Sequence, residues 1–121
     1  MFAGCYQPEI IGAMERYLCP GDVFLDVGAN VGFLTAWAAG LVAREGEVHS
    51  FEPVPKYFAK LQTVVAANPE YKLFVNQAAC GDTEGTIEIA VDADNMGGSS
   101  AVPNRVQHVE TRVQVPLLQL D

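Results

Sequence analysis

The chain has 121 residues, half of them apolar, and a formal net charge of −8. That composition excludes a disordered chain and leaves room for one modest domain, burying about two-thirds of its unfolded surface. An acidic balance without a Lys/Arg cluster argues against nucleic acid as a partner, and no apolar run is long enough to span a bilayer.

Ile10, Ile11, Met14, Tyr17 and Leu18 recur at helical spacing, and Cys19-Pro20-Gly21 ends that helix. Asp22 to Val27 reads as a short buried strand, Val31 to Ala43 as an alanine-rich helix, and Glu47 to Phe51 as a second strand. The small residues Ala36, Ala38, Ala39 and Gly40 suit a helix lying close on a sheet. Pro55 opens a helix with Phe58, Leu61, Val64 and Val65 on one face, and Asn68-Pro69 stops it. Lys72 to Ala79 reads as a third strand. This β-α-β-α-β series implies right-handed crossovers and a parallel sheet. Beyond Gly81, alternation around Ile87, Ile89 and Val91 and again around Val109, Thr111, Val113 and Val115 predicts an antiparallel hairpin. Asp94 to Ser100 would be its tip, either a substrate cover or a plain turn.

The residues that carry chemistry cluster early. Asp26-Val27-Gly28-Ala29-Asn30-Val31-Gly32 joins the first strand to its helix, and Glu52 ends the second strand twenty residues after Gly32. Glycines there let backbone approach a ligand, and an acid at the second strand's end can accept bonds from ribose hydroxyls. A dinucleotide site wants a third glycine where Asp26 stands. A carboxylate repels a pyrophosphate but attracts an ammonium, so the pattern favours S-adenosylmethionine over NAD and an oxidoreductase. Plainer readings exist: Gly28 and Gly32 as turn glycines, Asn30 as a residue tolerant of an unusual turn, Glu52 as a solvated charge. Asp26 resists one, because a carboxylate in an apolar strand costs stability unless paired. His49 and His108 are candidate bases, each with an ordinary structural alternative, and Asp92 and Asp94 read equally well as loop caps. No zinc spacing or C-x-x-C pair occurs. Cys5, Cys19 and Cys80 suit free thiols in a reducing cytosol, and residues 1–10 lack the features of a signal peptide, so a cytoplasmic location is expected.

Three stretches, Asp26-Val27-Gly28-Ala29-Asn30-Val31-Gly32-Phe33, Phe51-Glu52-Pro53-Val54-Pro55-Lys56-Tyr57-Phe58 and Asn76-Gln77-Ala78-Ala79-Cys80-Gly81-Asp82, closely resemble the FkbM family of S-adenosylmethionine-dependent methyltransferases. Gly97-Gly98-Ser99-Ser100 and Leu120-Asp121 also look like that family. The resemblance implies an α/β, class I methyltransferase (Rossmann-like) three-layer fold with a parallel sheet and a C-terminal antiparallel hairpin. It also implies methyl transfer, typically to a hydroxyl oxygen of a small molecule or glycan. Asp26, Gly28, Asn30 and Gly32 would surround the methionine half of the cofactor, Glu52 the ribose, and Gln77 and Ala78 the adenine. The family pattern continues past Leu-Asp into a parallel strand bearing Asp-x-Glu-Gly. Residues 1–121 are therefore expected to form a single, truncated FkbM-type domain whose missing strand would lie beside Asp22 to Val27. An open edge there would invite self-association. A non-catalytic remnant of the fold, binding cofactor or a partner, is the alternative function.

Overall fold

The computed structural model of the chain describes residues 7–92 and 109–120. Three parallel strands, β1 (Val23–Val27), β2 (Glu47–Phe51) and β3 (Lys72–Asn76), form a sheet in the order β1-β2-β3. Helices α1 (Pro8–Tyr17), α2 (Phe33–Val42) and α3 (Pro55–Ala67) precede or link them, as the periodicity predicts. Register places Phe24 beside Val48 beside Leu73, and Asp26 beside Ser50 beside Val75. Side chains alternate across a strand. Phe24, Val48 and Leu73 accordingly meet Ala38, Ala39 and Val42 of α2, with Met14 of α1 closing that core.

Two expectations about helix faces are corrected. In α1 only Ile11 and Met14 are buried, while Tyr17 is 71% exposed beneath the Arg16 guanidinium. The reason is that α1 packs on another helix, which buries a narrow stripe rather than a broad face. In α2, Ala38 and Ala39 face the sheet, whereas Ala36 and Gly40 face outward, and a Cβ on Gly40 would touch nothing within 4 Å. Within α3, Leu61 and also Tyr57 are buried; Phe58, Val64 and Val65 are half-buried.

The third strand is shorter than expected. It stops at Asn76, whose carbonyl accepts the N–H of both Glu52 and Ala78, at 3.0 Å each. This turn redirects the chain into β4 (Ala79–Cys80), which belongs to a second sheet. There β5 (Gly85–Asp92) and β6 (Val109–Leu118) form the expected antiparallel pair, and β4 runs parallel to β6. A second core lies under this sheet: Ile89, Val91 and Val115 pack with Val54 and Tyr57 at the start of α3. The hairpin tip, with Asp94, Gly97-Gly98-Ser99-Ser100 and His108, lies outside the described residues, as do Cys5 and Asp121.

Among the described residues nothing pairs with the β1 edge of the parallel sheet or covers the sheet face away from α2. Val23, Leu25 and Val27 are 61%, 52% and 56% exposed, and Phe74 is 46% exposed. Asp22 and Gly28 bond to β2 through their backbone, so the odd-numbered residues between them turn their N–H and C=O groups outward. A parallel sheet is normally covered on both faces, and an apolar open edge is a pairing surface.

Candidate active site

The strands end together at their C-terminal edge, where open α/β sheets bind ligands. The carbonyl of Phe51, the last residue of β2, accepts the N–H of Gly28 at 2.9 Å and of Ala29 at 3.0 Å. Gly28, Asn30 and Gly32 all have positive φ, at 75°, 56° and 96°. Such a backbone suits glycine, and asparagine tolerates it. The loop thus folds back over the end of β2 and delivers the chain into α2. At Gly32 a Cβ would lie 2.9 Å from side-chain atoms of both Leu61 and Val64, so this glycine also lets α3 approach. Around Gly28 the space is open.

Glu52 clamps this loop. One carboxylate oxygen accepts the Asn30 N–H at 2.7 Å and the other accepts the Val54 N–H at 2.8 Å. The residue is 5% exposed. Each oxygen keeps a second lone pair, so ribose hydroxyls could still be received. The Asn30 side-chain oxygen is buried without a hydrogen-bond partner. It is an acceptor waiting for a donor.

Asp26, also 5% exposed, points to the α2 side of the sheet. It accepts a 2.6 Å bond from the Thr35 hydroxyl, which lies 2.7 Å from the Ser50 hydroxyl. Sequence reading missed Thr35 and Ser50. For Thr35 the signal was present, since it is the one polar residue of an otherwise apolar helix and such a group is kept buried only with partners. Ser50 stands among the polar residues of Glu47–Phe51 and carries no such signal.

Burial raises the pKa of Asp26, against the opposing bond from Thr35. Burial likewise raises that of Glu52; its two backbone bonds oppose the rise and the charge of Asp26 adds to it. A raised acid binds more protons folded than unfolded, so its stability contribution is full below the ordinary value and lost as pH rises through the folded one. Stability from these two groups should therefore fall as pH climbs from the ordinary 3.8 and 4.5 through their raised folded values. Melting Asp26→Asn beside the native chain checks this: the variant's advantage in Tm should grow with pH, and an advantage independent of pH would refute it.

Of the remaining predicted residues, Ala78 is buried and Gln77 is exposed just past β3, beside the Glu52 clamp through the Asn76 carbonyl. His49 does not join the site: it lies on the opposite sheet face, bonded to Glu47 at 2.9 Å and stacked on Phe74 at 4.8 Å. An open depression of about 540 Å³ lies elsewhere, between Cys80–Asp82 and Gln119–Leu120, and contains none of the predicted residues. Among the described residues no group of His, Cys, Asp and Glu could hold a metal ion, and no helix is long and apolar enough to cross a membrane.

Residues 26–121 match the FkbM methyltransferase domain. The chain belongs to the FkbM methyltransferase family. It is 31% identical over 112 residues to protein-L-isoaspartate O-methyltransferase 1 of Arabidopsis thaliana, covering 90% of this chain and 42% of that protein. A Clostridium thermocellum protein described as a candidate rRNA methylase superposes with a TM-score of 0.58 at 15% identity, over 77% of this chain and 56% of that one. A protein-L-isoaspartate O-methyltransferase structure gives 0.52 at 21% identity, over 58% and 23%. This FkbM chain thus spans less than half the length of the Arabidopsis relative, and its fold is that of class I methyltransferases. The methyl donor of such a domain is S-adenosylmethionine, and the site fits it: two buried acids and an unpartnered acceptor favour a cationic ligand rich in donors.

Proposed function

We propose that this chain is the cofactor-binding part of an S-adenosylmethionine-dependent O-methyltransferase acting on a hydroxyl of a small molecule or glycan. The observation that carries the reading is the convergence of Asp26, Gly28, Asn30, Gly32 and Glu52 at one sheet edge. In it, Asp26 and the Asn30 side-chain oxygen (Oδ1) receive the ammonium end, Glu52 the ribose hydroxyls, and Gln77 and Ala78 flank the adenine. Similarity to a protein named an O-methyltransferase supports oxygen as the accepting atom. The bound donor supplies an electrophilic methyl group. Residues of this chain then orient it for in-line displacement, where positioning can supply on the order of 7–11 kcal/mol.

Calorimetric titration with S-adenosylhomocysteine, with NAD in a parallel titration, tests the reading. Saturable binding of the first alone is expected; a folded chain that binds NAD instead would revive the oxidoreductase.

The exposed β1 edge supports reading residues 1–121 as part of one domain, and it favours a second role as a surface for self-association. Leu25→Lys places a charge at the middle of that edge. The variant should sediment as a smaller species than the native chain at the same concentration. Identical sedimentation profiles would rule out this edge as the contact.

A further inference from the structure

A chain of hydroxyls runs under the site and no part of the cofactor reading uses it. Ser50 stands beside Asp26 in the β1-β2 register, on the same sheet face, and Thr35 reaches down from the first turn of α2 onto both. Thr35 and Ser50 are fully buried. Thr35 carries one hydroxyl proton, and that proton is given to the carboxylate of Asp26 at 2.6 Å. Across the 2.7 Å to Thr35, Ser50 must then be the donor. The order is fixed as Ser50 O–H to Thr35 O–H to Asp26 Oδ2, and each bond polarises the next. Such a chain favours the ionised carboxylate. It also takes up one oxygen of Asp26 and leaves the other for a ligand.

We propose that Thr35 and Ser50 are positioning residues whose hydroxyl chain favours the ionised form of Asp26 and orients it for the cationic end of the methyl donor. The inference rests on the cofactor reading for its ligand, but not for its effect on Asp26. Few other charges compete for control of that carboxylate. Helix α2 carries no charged residue; α1, packed on α2, keeps Glu9, Glu15 and Arg16 exposed; Glu47 and His49 of β2 occupy the opposite sheet face. Glu52 is the charged neighbour at the site, and there it is the charge of Asp26 that raises the pKa of Glu52; burial is what opposes the hydroxyl chain at Asp26.

The test compares the native chain with Thr35→Val, Thr35→Ser and Ser50→Ala, each first shown by circular dichroism to be folded. Carboxyl ¹³C NMR of the ligand-free proteins reads the titration of Asp26. The midpoint should move up in Thr35→Val, return to native in Thr35→Ser, and move up by less in Ser50→Ala. Calorimetry with S-adenosylhomocysteine should show affinity in Thr35→Val falling by about tenfold below the native Asp26 midpoint, where one pH unit of midpoint shift is a factor of ten in ionised fraction. The deficit should narrow as pH rises, and Thr35→Ser should bind normally. An unchanged Asp26 midpoint in Thr35→Val overturns the proposal. So does an affinity loss that is independent of pH and not rescued by serine, which is the mark of a merely structural role. If the native chain shows no binding at any pH, the cofactor reading fails and the ligand half of the proposal with it, while the NMR midpoints still decide whether the hydroxyl chain controls Asp26.

Discussion

Glu52→Ala will weaken S-adenosylhomocysteine binding by about 100-fold, equivalent to about 2.7 kcal/mol, and will lower stability by roughly 1–3 kcal/mol. Both effects come from one carboxylate. Its oxygens take the N–H groups of Asn30 and Val54 at 2.7 and 2.8 Å in a nearly water-free position. Alanine leaves both donors without a partner. It also frees Asn30 from the contact that holds a non-glycine residue at φ 56°. Against this stands a gain, since removing a buried acid beside Asp26 relieves charge repulsion. The two lost bonds are charge-assisted and outweigh that relief. Ligand affinity suffers more than stability because the loop and the ribose acceptor are lost together. Glu52→Gln separates the two effects. It keeps one acceptor for the backbone, so most of the stability should return, but its amide turns a donor toward the other N–H and affinity should recover only in part. Calorimetry and urea unfolding on the three proteins check this; native affinity in Glu52→Ala would remove Glu52 from the site.

Gly46→Ala should cost about 3 kcal/mol, at the upper end for overpacking, and drop Tm by about 10 °C or more. A Cβ there would stand 2.5 Å from both the Asp22 carbonyl oxygen and Val42 Cβ, and 2.7 Å from the Val42 carbonyl oxygen. None of these atoms can yield. The Asp22 oxygen accepts the Glu47 N–H, the first rung joining β1 to β2, and the Val42 oxygen accepts the N–H of Gly21 and of Gly46. Moving either pries the start of the sheet from the end of α2. Gly40→Ala is the matched control: its Cβ meets nothing, and alanine in an exposed helix position should stabilise by about 0.5–1 kcal/mol. Thermal melts that rank the two variants the other way would show that the turn after α2 can relax.

The parallel sheet, its helices and the hairpin could all be read along the chain because each depends on local period and on punctuation by Gly, Pro and Asn. The candidate ligand residues were legible for a related reason: a glycine loop and a strand-end acid sit at a spacing set by one β-α-β unit. Elsewhere the local pattern misled. Lys72 to Ala79 looks like one strand, but the Asn76 carbonyl is taken by Glu52 and Ala78, and the chain leaves for a second sheet. Tyr17 and Gly40 lie at positions the helical pattern turns inward, yet which side of a helix is buried depends on what packs there.

Asp26 and Glu52 could be named from the linear pattern, but not their partners. The identity of a strand-end acid follows from residues adjacent in sequence. What it bonds to follows from which strands become neighbours. Ser50 faces Asp26 only because β1 and β2 pair in that register, and Thr35 reaches both only because α2 lies over that face. Period and punctuation are short-range and survive in a linear reading; hydrogen-bond partners separated by 9, 15 and 22 residues exist only once the chain has closed on itself.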